Sequence, residues 1–243
     1  MPESQIQPCI QQPTQPIKLY RFPLSGHSHR AELFIRLLDL PHTLIDVDLV
    51  QGAHRLPDFL RLNRFAQVPV MDDGGTVVAD SNAILTYLAL RYAPDHWMPR
   101  EPLPAARVQQ WLSQAAGALS RGAATARAIN VFHLPRDSQA AVQEAHWLFE
   151  RLESALLDST APWLAGAGLP TIADIAMYTY TAHAPEGGVS LDGYPNLRDW
   201  LRRVEALPRF QPMPVSAVGL RSGLKGTQPN TDHRHQSGDL RRA

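Results

Sequence analysis

The sequence has a single cysteine, Cys9, and no long run of apolar residues. One cysteine allows no disulfide within the chain, which is typical of proteins from a reducing compartment. No apolar stretch approaches the roughly 18–20 residues that a membrane-spanning helix needs. Residues 1–16 are rich in Gln and Pro and lack the apolar core of a secretory signal peptide. We therefore expect a soluble cytoplasmic protein.

The chain also lacks an excess of charge of either sign, since 23 Lys and Arg stand against 23 Asp and Glu. This balance does not favour nucleic acid or an anionic membrane surface as a partner of the whole protein, and we expect neither. Apolar residues make up 44% of the 243 residues, which is enough for most of the chain to fold. At roughly 100–200 residues per domain, this length fits one large or two small domains.

The first part of the chain alternates short strand and helix patterns. Strands are predicted at 17–22, 43–49, 68–71 and 76–79, and helices at 28–40, 56–62 and 80–92. The turn Asp72-Asp73-Gly74-Gly75 joins the last two strands as an antiparallel hairpin. The earlier strands are separated by helical crossovers, so they can run parallel. The order βαβαββα predicts a mixed four-stranded sheet with helices on its faces, which is the thioredoxin-like arrangement.

The second part of the chain has a different pattern, and a proline-rich segment separates the two. Residues 93–104 contain four prolines and are predicted to be a linker. Helices are then predicted at 105–128, 138–158, 171–183 and 196–206, without a convincing strand. We expect a thioredoxin-like domain at 17–92 and an all-α domain at 105–220. Residues 1–16 are predicted to be a flexible lead-in, and residues 221–243 a disordered tail.

A loop with two serines lies between the first predicted strand and the first predicted helix. Its sequence is PLSGHSHR, and it contains Ser25 and Ser28. A hydroxyl at a helix N-terminus lies beside unpaired N–H groups and the positive end of the helix dipole. Such a site can hydrogen-bond a bound thiolate and lower the thiol pKa from its unperturbed value of ~8.5. The alternative is that Ser25 or Ser28 only caps the helix, as serine commonly does there.

The segment Gln67-Val68-Pro69-Val70 places a proline at the start of a central strand. Proline is unusual there unless its peptide bond is cis or the strand edge is free, and composition alone favours a trans bond. With a cis bond, the N–H and C=O of Val68 could pair with a peptide-like ligand, as an added strand would.

Two further segments could hold the charged ends of such a ligand. At the start of a predicted helix, free N–H groups and the Ser81 hydroxyl could bind a carboxylate, and Asp80 could accept from an ammonium group. The alternative there is an ordinary helix cap. In the loop after Gly52, His54 and Arg55 could hold a second carboxylate, although such residues are more often simply solvated.

The order of these segments on one βαβαββα unit resembles the cytosolic glutathione transferase family, and the resemblance covers roughly residues 17–218. The stretches that carry it are IKLYRFPLSGHSHRAEL, FAQVPVMDDGGTVVADSNAILTYLA and GLPTIADIAMYTYT. In the last of these, Thr171 and Asp174 are predicted to form a capping box, which stabilises the helix and is not catalytic.

The resemblance implies a role for each candidate residue. Ser25 matches the activating serine of the phi- and theta-like classes, and Ser28 is the reserve candidate. The residues implied to bind glutathione are His54 and Arg55 at the glycyl carboxylate, Gln67, Val68 and a cis Pro69 along the peptide, and Asp80 and Ser81 at the γ-glutamyl group.

The chain departs from other members of the family in its loop. The loop has no tyrosine to activate the thiol, because Tyr20 lies within the preceding strand. It also has no cysteine, which disfavours mixed-disulfide chemistry, and Cys9 lies outside the fold. His27 and His29 are unusual there and are interpreted as surface histidines. The tail segment His233-Arg234-His235 has no partner cluster, so no metal site is predicted.

The implied function is conjugation of glutathione, as a co-substrate without any further cofactor, to a small hydrophobic electrophile in a detoxification role. The electrophile would lie between the two halves, and the candidates for its pocket are Trp111, Gln114 and Leu119. Core packing is the alternative role for Trp111. The resemblance also implies a homodimer. The alternative functions are a glutathione-dependent disulfide reductase or peroxidase, an isomerase or dehalogenase, and a non-catalytic binding protein on the same fold.

Overall fold

The computed structural model describes residues 12–218, which form a strand-and-helix unit followed by a helical one. Cys9, most of the predicted lead-in, the predicted tail and the His233-Arg234-His235 segment lie outside the described residues. Within residues 12–218, no helix is both long enough and apolar enough to cross a membrane.

The strands form one mixed sheet with the order β2-β1-β3-β4. Their bounds are Ile17–Arg21 for β1, His42–Asp46 for β2, Val70–Asp73 for β3 and Thr76–Ala79 for β4. β1 runs parallel to β2 and antiparallel to β3, and β3 and β4 form the predicted hairpin. The thioredoxin-like sheet is therefore confirmed. β3 begins at Val70 rather than Val68, because Pro69 has no N–H to donate to the ladder.

Three helices pack on this sheet. They are α1 (Gly26–Leu37), α2 (Pro57–Leu62) and α3 (Ser81–Tyr92). α1 begins two residues earlier than predicted because Ser25, and not a later residue, is its N-cap. Phe34 of α1 and Ile84 of α3 are fully buried in the same core as Leu19 of the central strand.

The second unit is helical, as predicted, with α4 (Pro102–Ala116), α5 (Thr125–Val131), α6 (Gln139–Asp158), α7 (Ile172–Ala182) and α8 (Pro195–Glu205). The helix predicted at 105–128 is interrupted. Gly117 leaves the helical conformation with φ −95° and ψ −100°, and a π-helical turn at Ser120–Ala124 precedes α5. The first of these helices starts inside the predicted linker, because Pro102 suits the first turn of a helix.

α7 is the central helix of the second unit, and residues 171–181 are all buried. Its capping box is confirmed, with the Thr171 N–H donating to Asp174 Oδ2 at 2.9 Å. Asp174 also accepts from the Trp200 indole at 2.9 Å, which ties α7 to α8. Burial raises the pKa of Asp174, while these donors oppose the rise. α7 is thus anchored within the second unit, and it also packs against α1 of the first unit.

Candidate active site

A polar cleft of about 320 Å³ lies where the predicted ligand-binding segments meet. The residues that line it are Ser25, His27, Leu49, His54, Ala66, Gln67, Val68, Pro69, Asp80 and Ser81. The structure therefore brings together most of the residues that the sequence indicated. The exceptions are Arg55, which is exposed and does not line the cleft, and Ser28.

Ser25 caps α1 and also lines the cleft, so the two roles considered for it are compatible. Its Oγ accepts a hydrogen bond from the Ser28 N–H at 3.3 Å, and its own O–H can still donate to a ligand. The Ser28 side chain is only 1% exposed, and its Oγ accepts from the Phe22 N–H at 3.2 Å. Ser28 therefore stabilises the loop from inside, and it is not the reserve thiol activator that the sequence suggested.

The peptide-binding edge of the cleft is built by residues 67–69. The Val68–Pro69 peptide bond is cis, as the resemblance implies and as composition alone does not favour. Gln67 is exposed at this edge, whereas Pro69 is buried. Across the cleft, His54 is half-buried and its Nδ1 has no hydrogen-bond partner among the described residues.

The start of α3 forms the opposite end of the cleft. Asp80 is the N-cap, and its Oδ1 accepts from the N–H groups of Asn82 and Ala83 at 2.9 and 3.0 Å. These N–H groups are therefore not free to bind an anion, contrary to the sequence-based expectation. Ser81, which is 2% exposed and lines the cleft, is the remaining donor residue of this turn.

Two residues of α1 lie next to Ser81, one interpreted from the sequence as a surface histidine and one for which the sequence predicted no role. His27 lines the cleft with its Nδ1 at 3.3 Å from Ser81 Oγ. Arg30 is 1% exposed and donates to Ser81 Oγ at 2.8 Å. The sequence did contain a sign that Arg30 is buried. Arg30 stands four residues before Phe34, on the face of the predicted helix that packs on the core, and a charged side chain is rarely buried there without a partner.

The interpretation as a surface histidine is wrong for His29, which is buried, and His27 is half-buried at the cleft rather than freely exposed. Burial, with the nearby charge of Arg30, lowers the pKa of His27 to about 3. His29 is 4% exposed, and its ring nitrogens lie 2.9 Å from Thr179 Oγ1 and 2.7 Å from the Gln211 carbonyl. Burial lowers the pKa of His29 to about 4, despite that carbonyl and Glu32, which raise it. His29 is buried and His27 is half-buried because α7 packs on α1.

An apolar cavity of about 450 Å³ adjoins the polar cleft. The residues that line it are Phe22, Leu24, Ser25, Leu49, Val50, Ala124, Arg127, Ala128, Phe132, Leu134 and Tyr180. Ser25 and Leu49 line both spaces, so a group held by Ser25 can face both. The cavity combines residues of the first unit with residues from the α5 region and α7.

The predicted electrophile-pocket residues Trp111, Gln114 and Leu119 do not line this cavity. Leu119 is fully buried in the core, and the Trp111 indole donates to the Leu164 carbonyl at 2.7 Å. Trp111 and Gln114 line a separate pocket against α6. The reason is the break at Gly117, after which the π-helical turn and α5, rather than α4, face the Ser25 loop.

Tyr180 and Arg127 connect the apolar cavity to the Ser25 loop. Burial raises the pKa of the Tyr180 phenol, although the charges of Arg30 and Arg127 and the nearby backbone of His27 and Gly26 oppose the rise, and the phenol stays protonated at neutral pH. The Arg127 guanidinium donates to the Leu24 carbonyl at 2.8 Å and forms a buried ion pair with Glu186. The second unit thus holds the loop that carries Ser25.

Comparison with known proteins agrees with this architecture. The family described as "Glutathione S-transferase, N-terminal domain" matches residues 15–90, and "Glutathione S-transferase, C-terminal domain" matches residues 126–208. Mouse glutathione S-transferase theta-1 is 32% identical over 200 residues, which are 78% of this chain and 82% of the mouse protein.

Solved structures show the same likeness. A glutathione S-transferase from Pseudomonas fluorescens Pf-5 has a TM-score of 0.75 at 32% identity, and the match covers 81% of this chain and 98% of that one. One from Xanthobacter autotrophicus Py2 has a TM-score of 0.75 at 30% identity and covers 82% and 97%. The fold, the cleft and these relatives together show that the chain is a glutathione transferase and belongs to the glutathione S-transferase family.

Proposed function

We propose that this protein joins the thiol sulfur of glutathione to a small apolar electrophile, and that Ser25 stabilises the thiolate. The observation that carries the proposal is that Ser25 lines both the polar cleft and the apolar cavity. A sulfur atom that is hydrogen-bonded to Ser25 would therefore lie within reach of an electrophile in the apolar cavity and would keep that hydrogen bond during the attack. This reading makes the chain a serine-type member of its family.

Glutathione would occupy the polar cleft. In this arrangement His54 lies at the glycyl end, residues 67–69 pair with the peptide, and Asp80 and Ser81 hold the γ-glutamyl group. The support is that all of these residues line one cleft, whose length runs from the loop after β2 to the start of α3. Arg55 has no part in this proposal because it does not line the cleft.

The chemical step would be attack of the thiolate on an electrophilic carbon. A carbon–sulfur bond forms, and either a leaving group departs with its electron pair or the acceptor atom of an addition takes up a proton. The Ser25 O–H, at the N-terminal end of α1, stabilises the negative charge on sulfur before the attack. The remaining rate enhancement comes from holding the two substrates close together, and no covalent enzyme intermediate forms.

The electrophile would occupy the apolar cavity. Phe22, Leu24, Phe132 and Leu134 give it a largely hydrophobic wall, which favours an apolar or aromatic substrate over a polar one. Tyr180 and Arg127 are the polar side chains of the wall besides Ser25. A substrate with one acceptor group would orient that group towards them.

The test compares Ser25→Ala with the matched loop variant Ser28→Ala, using glutathione and a panel of electrophiles, disulfides and hydroperoxides. We expect Ser25→Ala to lower kcat by roughly 100-fold, as removal of one donor to a reacting anion does, with little change in glutathione affinity. Its rate should recover partly as the pH rises towards the free thiol pKa of ~8.5. Ser28→Ala should lower stability and keep the pH profile.

Other results would contradict the proposal. Wild-type turnover in Ser25→Ala would remove Ser25 from the mechanism. Faster reduction of disulfides or hydroperoxides than conjugation would favour a glutathione-dependent reductase or peroxidase. No thermal shift with glutathione would favour a non-catalytic binding protein.

We also propose that two copies of the chain form a homodimer through the surface beside β4. Phe65 is 75% exposed there and stands at a groove lined by Leu62, Val77 and Ala79. A two-fold interface is self-complementary, so a protruding ring and a groove on one chain can pair with the same features of a second copy. Gln67 and Asp80 line both this groove and the polar cleft, so the second copy would border the glutathione site.

A further inference from the structure

The Arg30 side chain is a buried cation without a carboxylate partner among the described residues. It is 1% exposed, and its Nη1 donates to Ser81 Oγ at 2.8 Å and to Asn82 Oδ1 at 2.9 Å. Its Nε and Nη2 are shielded from solvent and have no hydrogen-bond partner within residues 12–218. The ion pairs formed in this part of the chain do not include Arg30.

An arrangement of this kind is costly unless an anion completes it. A guanidinium loses its hydration on burial, and neutral acceptors replace only part of that stabilisation. Burial lowers the pKa of Arg30 to about 10, so the group still carries its charge at neutral pH. The nearby Asp80 carboxylate lies at the surface, and its Oδ1 already accepts from two N–H groups of α3.

The polar cleft in front of Arg30 lacks a positively charged side chain of its own. None of its lining residues, all of which are described, is Lys or Arg. His27, the titratable side chain nearest to Ser81, is neutral at physiological pH because burial lowers its pKa to about 3. A carboxylate entering this end of the cleft therefore meets the Ser81 hydroxyl and a neutral imidazole beside the exposed Asp80 carboxylate, and the charge of Arg30 lies directly behind Ser81.

We infer that Arg30 is a positioning residue whose missing counter-charge is the α-carboxylate of the γ-glutamyl group, held through the Ser81 hydroxyl. Ser81 Oγ accepts from Arg30, so its own proton is free to point at His27 Nδ1 or into the cleft. A ligand carboxylate takes that proton as a hydrogen bond. The Ser81 hydroxyl then bridges the ligand carboxylate and the Arg30 guanidinium, with a hydrogen bond to each.

This inference rests on the proposed glutathione site and names the part of the ligand that Arg30 recognises. It assigns to one buried residue the selectivity for an amino-acid carboxylate at the Ser81 end. It also explains why an arginine occupies the buried face of α1, where Phe34 and Ile35 continue the apolar core.

The test measures binding of three unreactive S-methyl tripeptides by calorimetry: S-methylglutathione, its 4-aminobutyryl analogue without the α-carboxylate, and its glutaryl analogue without the amine. Arg30→Met should weaken binding of S-methylglutathione and of the glutaryl analogue by roughly 10- to 100-fold, because a charge-assisted contact is lost. Binding of the 4-aminobutyryl analogue should stay the same. Arg30→Lys should recover part of the lost affinity.

Asn82→Asp gives a second test that leaves Arg30 in place. The new carboxylate would stand where Asn82 Oδ1 now accepts from Arg30 at 2.9 Å, and it would supply the counter-charge from within the protein. We expect weaker binding of S-methylglutathione and unchanged binding of the 4-aminobutyryl analogue, and these affinities are the readout because the substitution also removes the hydrogen bond from Asn82 Nδ2 to the Leu112 carbonyl at 3.1 Å. This variant keeps the inference testable even if Arg30→Met does not fold.

The outcomes separate the inference from the proposed function. If the wild-type protein does not bind S-methylglutathione, the proposed function fails. If it binds, and the Arg30 and Asn82 variants weaken all three ligands equally or none of them, the inference alone is wrong. A purely structural role for Arg30 predicts that the variants weaken binding of all three ligands equally, because a distorted cleft does not discriminate between ligands that differ only in the α-carboxylate or the amine.

Discussion

Tyr180 of α7 lies flat against Gly26, the residue that follows Ser25. A Cβ atom at position 26 would fall 2.7 Å from the Tyr180 ring, which is closer than packed atoms approach. The glycine is therefore required by the contact between the two units. This contact places the second unit directly behind the loop that carries the candidate catalytic serine.

The first prediction tests that contact with Gly26→Ala. The methyl group must push α1 and α7 apart, so we expect a loss of about 1–3 kcal/mol in the free energy of unfolding, as overpacking typically costs. Glutathione-conjugating activity should fall with it, because Ser25 moves with the start of α1. Gly193→Ala is the control, since nothing lies within 4 Å of a Cβ there. Equal unfolding curves for both variants would contradict the proposed close approach.

The second prediction concerns the Tyr180 hydroxyl, which we place at the electrophile. Tyr180→Phe removes a donor from the wall of the apolar cavity and should lower kcat by about 5- to 10-fold, the usual value of one hydrogen bond. Glutathione affinity should not change, because Tyr180 does not line the polar cleft. Tyr178→Phe is the matched control on the same helix, since Tyr178 donates to Glu205 instead. Equal kinetics for the two variants would remove Tyr180 from the reaction.

The third prediction follows from the buried His29. Its pKa is about 4 in the folded protein and 6.5 for the unperturbed group, so below pH 6.5 the unfolded chain binds a proton that the folded one does not. Its contribution to stability is present above pH 6.5 and is lost as the pH falls towards 4. Each such histidine changes the free energy of unfolding by about 1.4 kcal/mol per pH unit in this window.

The measurement is denaturant unfolding between pH 4 and pH 7. His29→Gln should be less stable at pH 7, because two hydrogen bonds are altered, but its stability should fall less steeply as the pH is lowered. His27→Gln provides an independent second case, since the pKa of His27 is lowered to about 3 by burial and Arg30. Parallel pH profiles for wild type and both variants would show that the folded protein does not hold either ring in its neutral form.

The fourth prediction tests the proposed dimer with Phe65→Ser. Phe65 is 75% exposed, so its replacement should leave the folded monomer intact. We expect light scattering after size exclusion to show a dimer for the wild-type protein and a shift towards monomer for the variant. Leu157→Ser is the control, since this exposed leucine lies at the end of α6, outside the proposed interface. A monomeric wild-type protein would contradict the proposal.

Much of the first unit could be predicted because its signals are local. The Asp72–Gly75 turn specifies a hairpin through backbone conformations that glycine adopts readily, and the structure contains that hairpin between β3 and β4. The Thr171–Asp174 capping box is equally local, and it is present at the start of α7. The candidate residues of the polar cleft were found because they stand at the ends of such elements.

The apolar cavity could not be predicted in the same way. A helix from 105 to 128 is a fair reading of composition, but the chain bends at Gly117, and Gly122 packs where a Cβ would fall 2.7 Å from the Ala145 backbone. The close packing of α6 on this segment decides which side chains face the Ser25 loop. Arg127 and Ala128 therefore line the cavity, while Trp111 and Gln114 lie against α6.

The sequence by itself determined the order of the elements, their caps and turns, and the positions of Ser25, Gln67 and Ser81, because these depend on neighbouring residues. Only the tertiary structure decided that His29 and Arg30 are buried and that His27 is half-buried. Their environment is created by α3 and α7, which lie about 50 and 150 residues further along the chain. A side chain's burial and charge state depend on everything packed around it, and no local pattern records partners at such a distance.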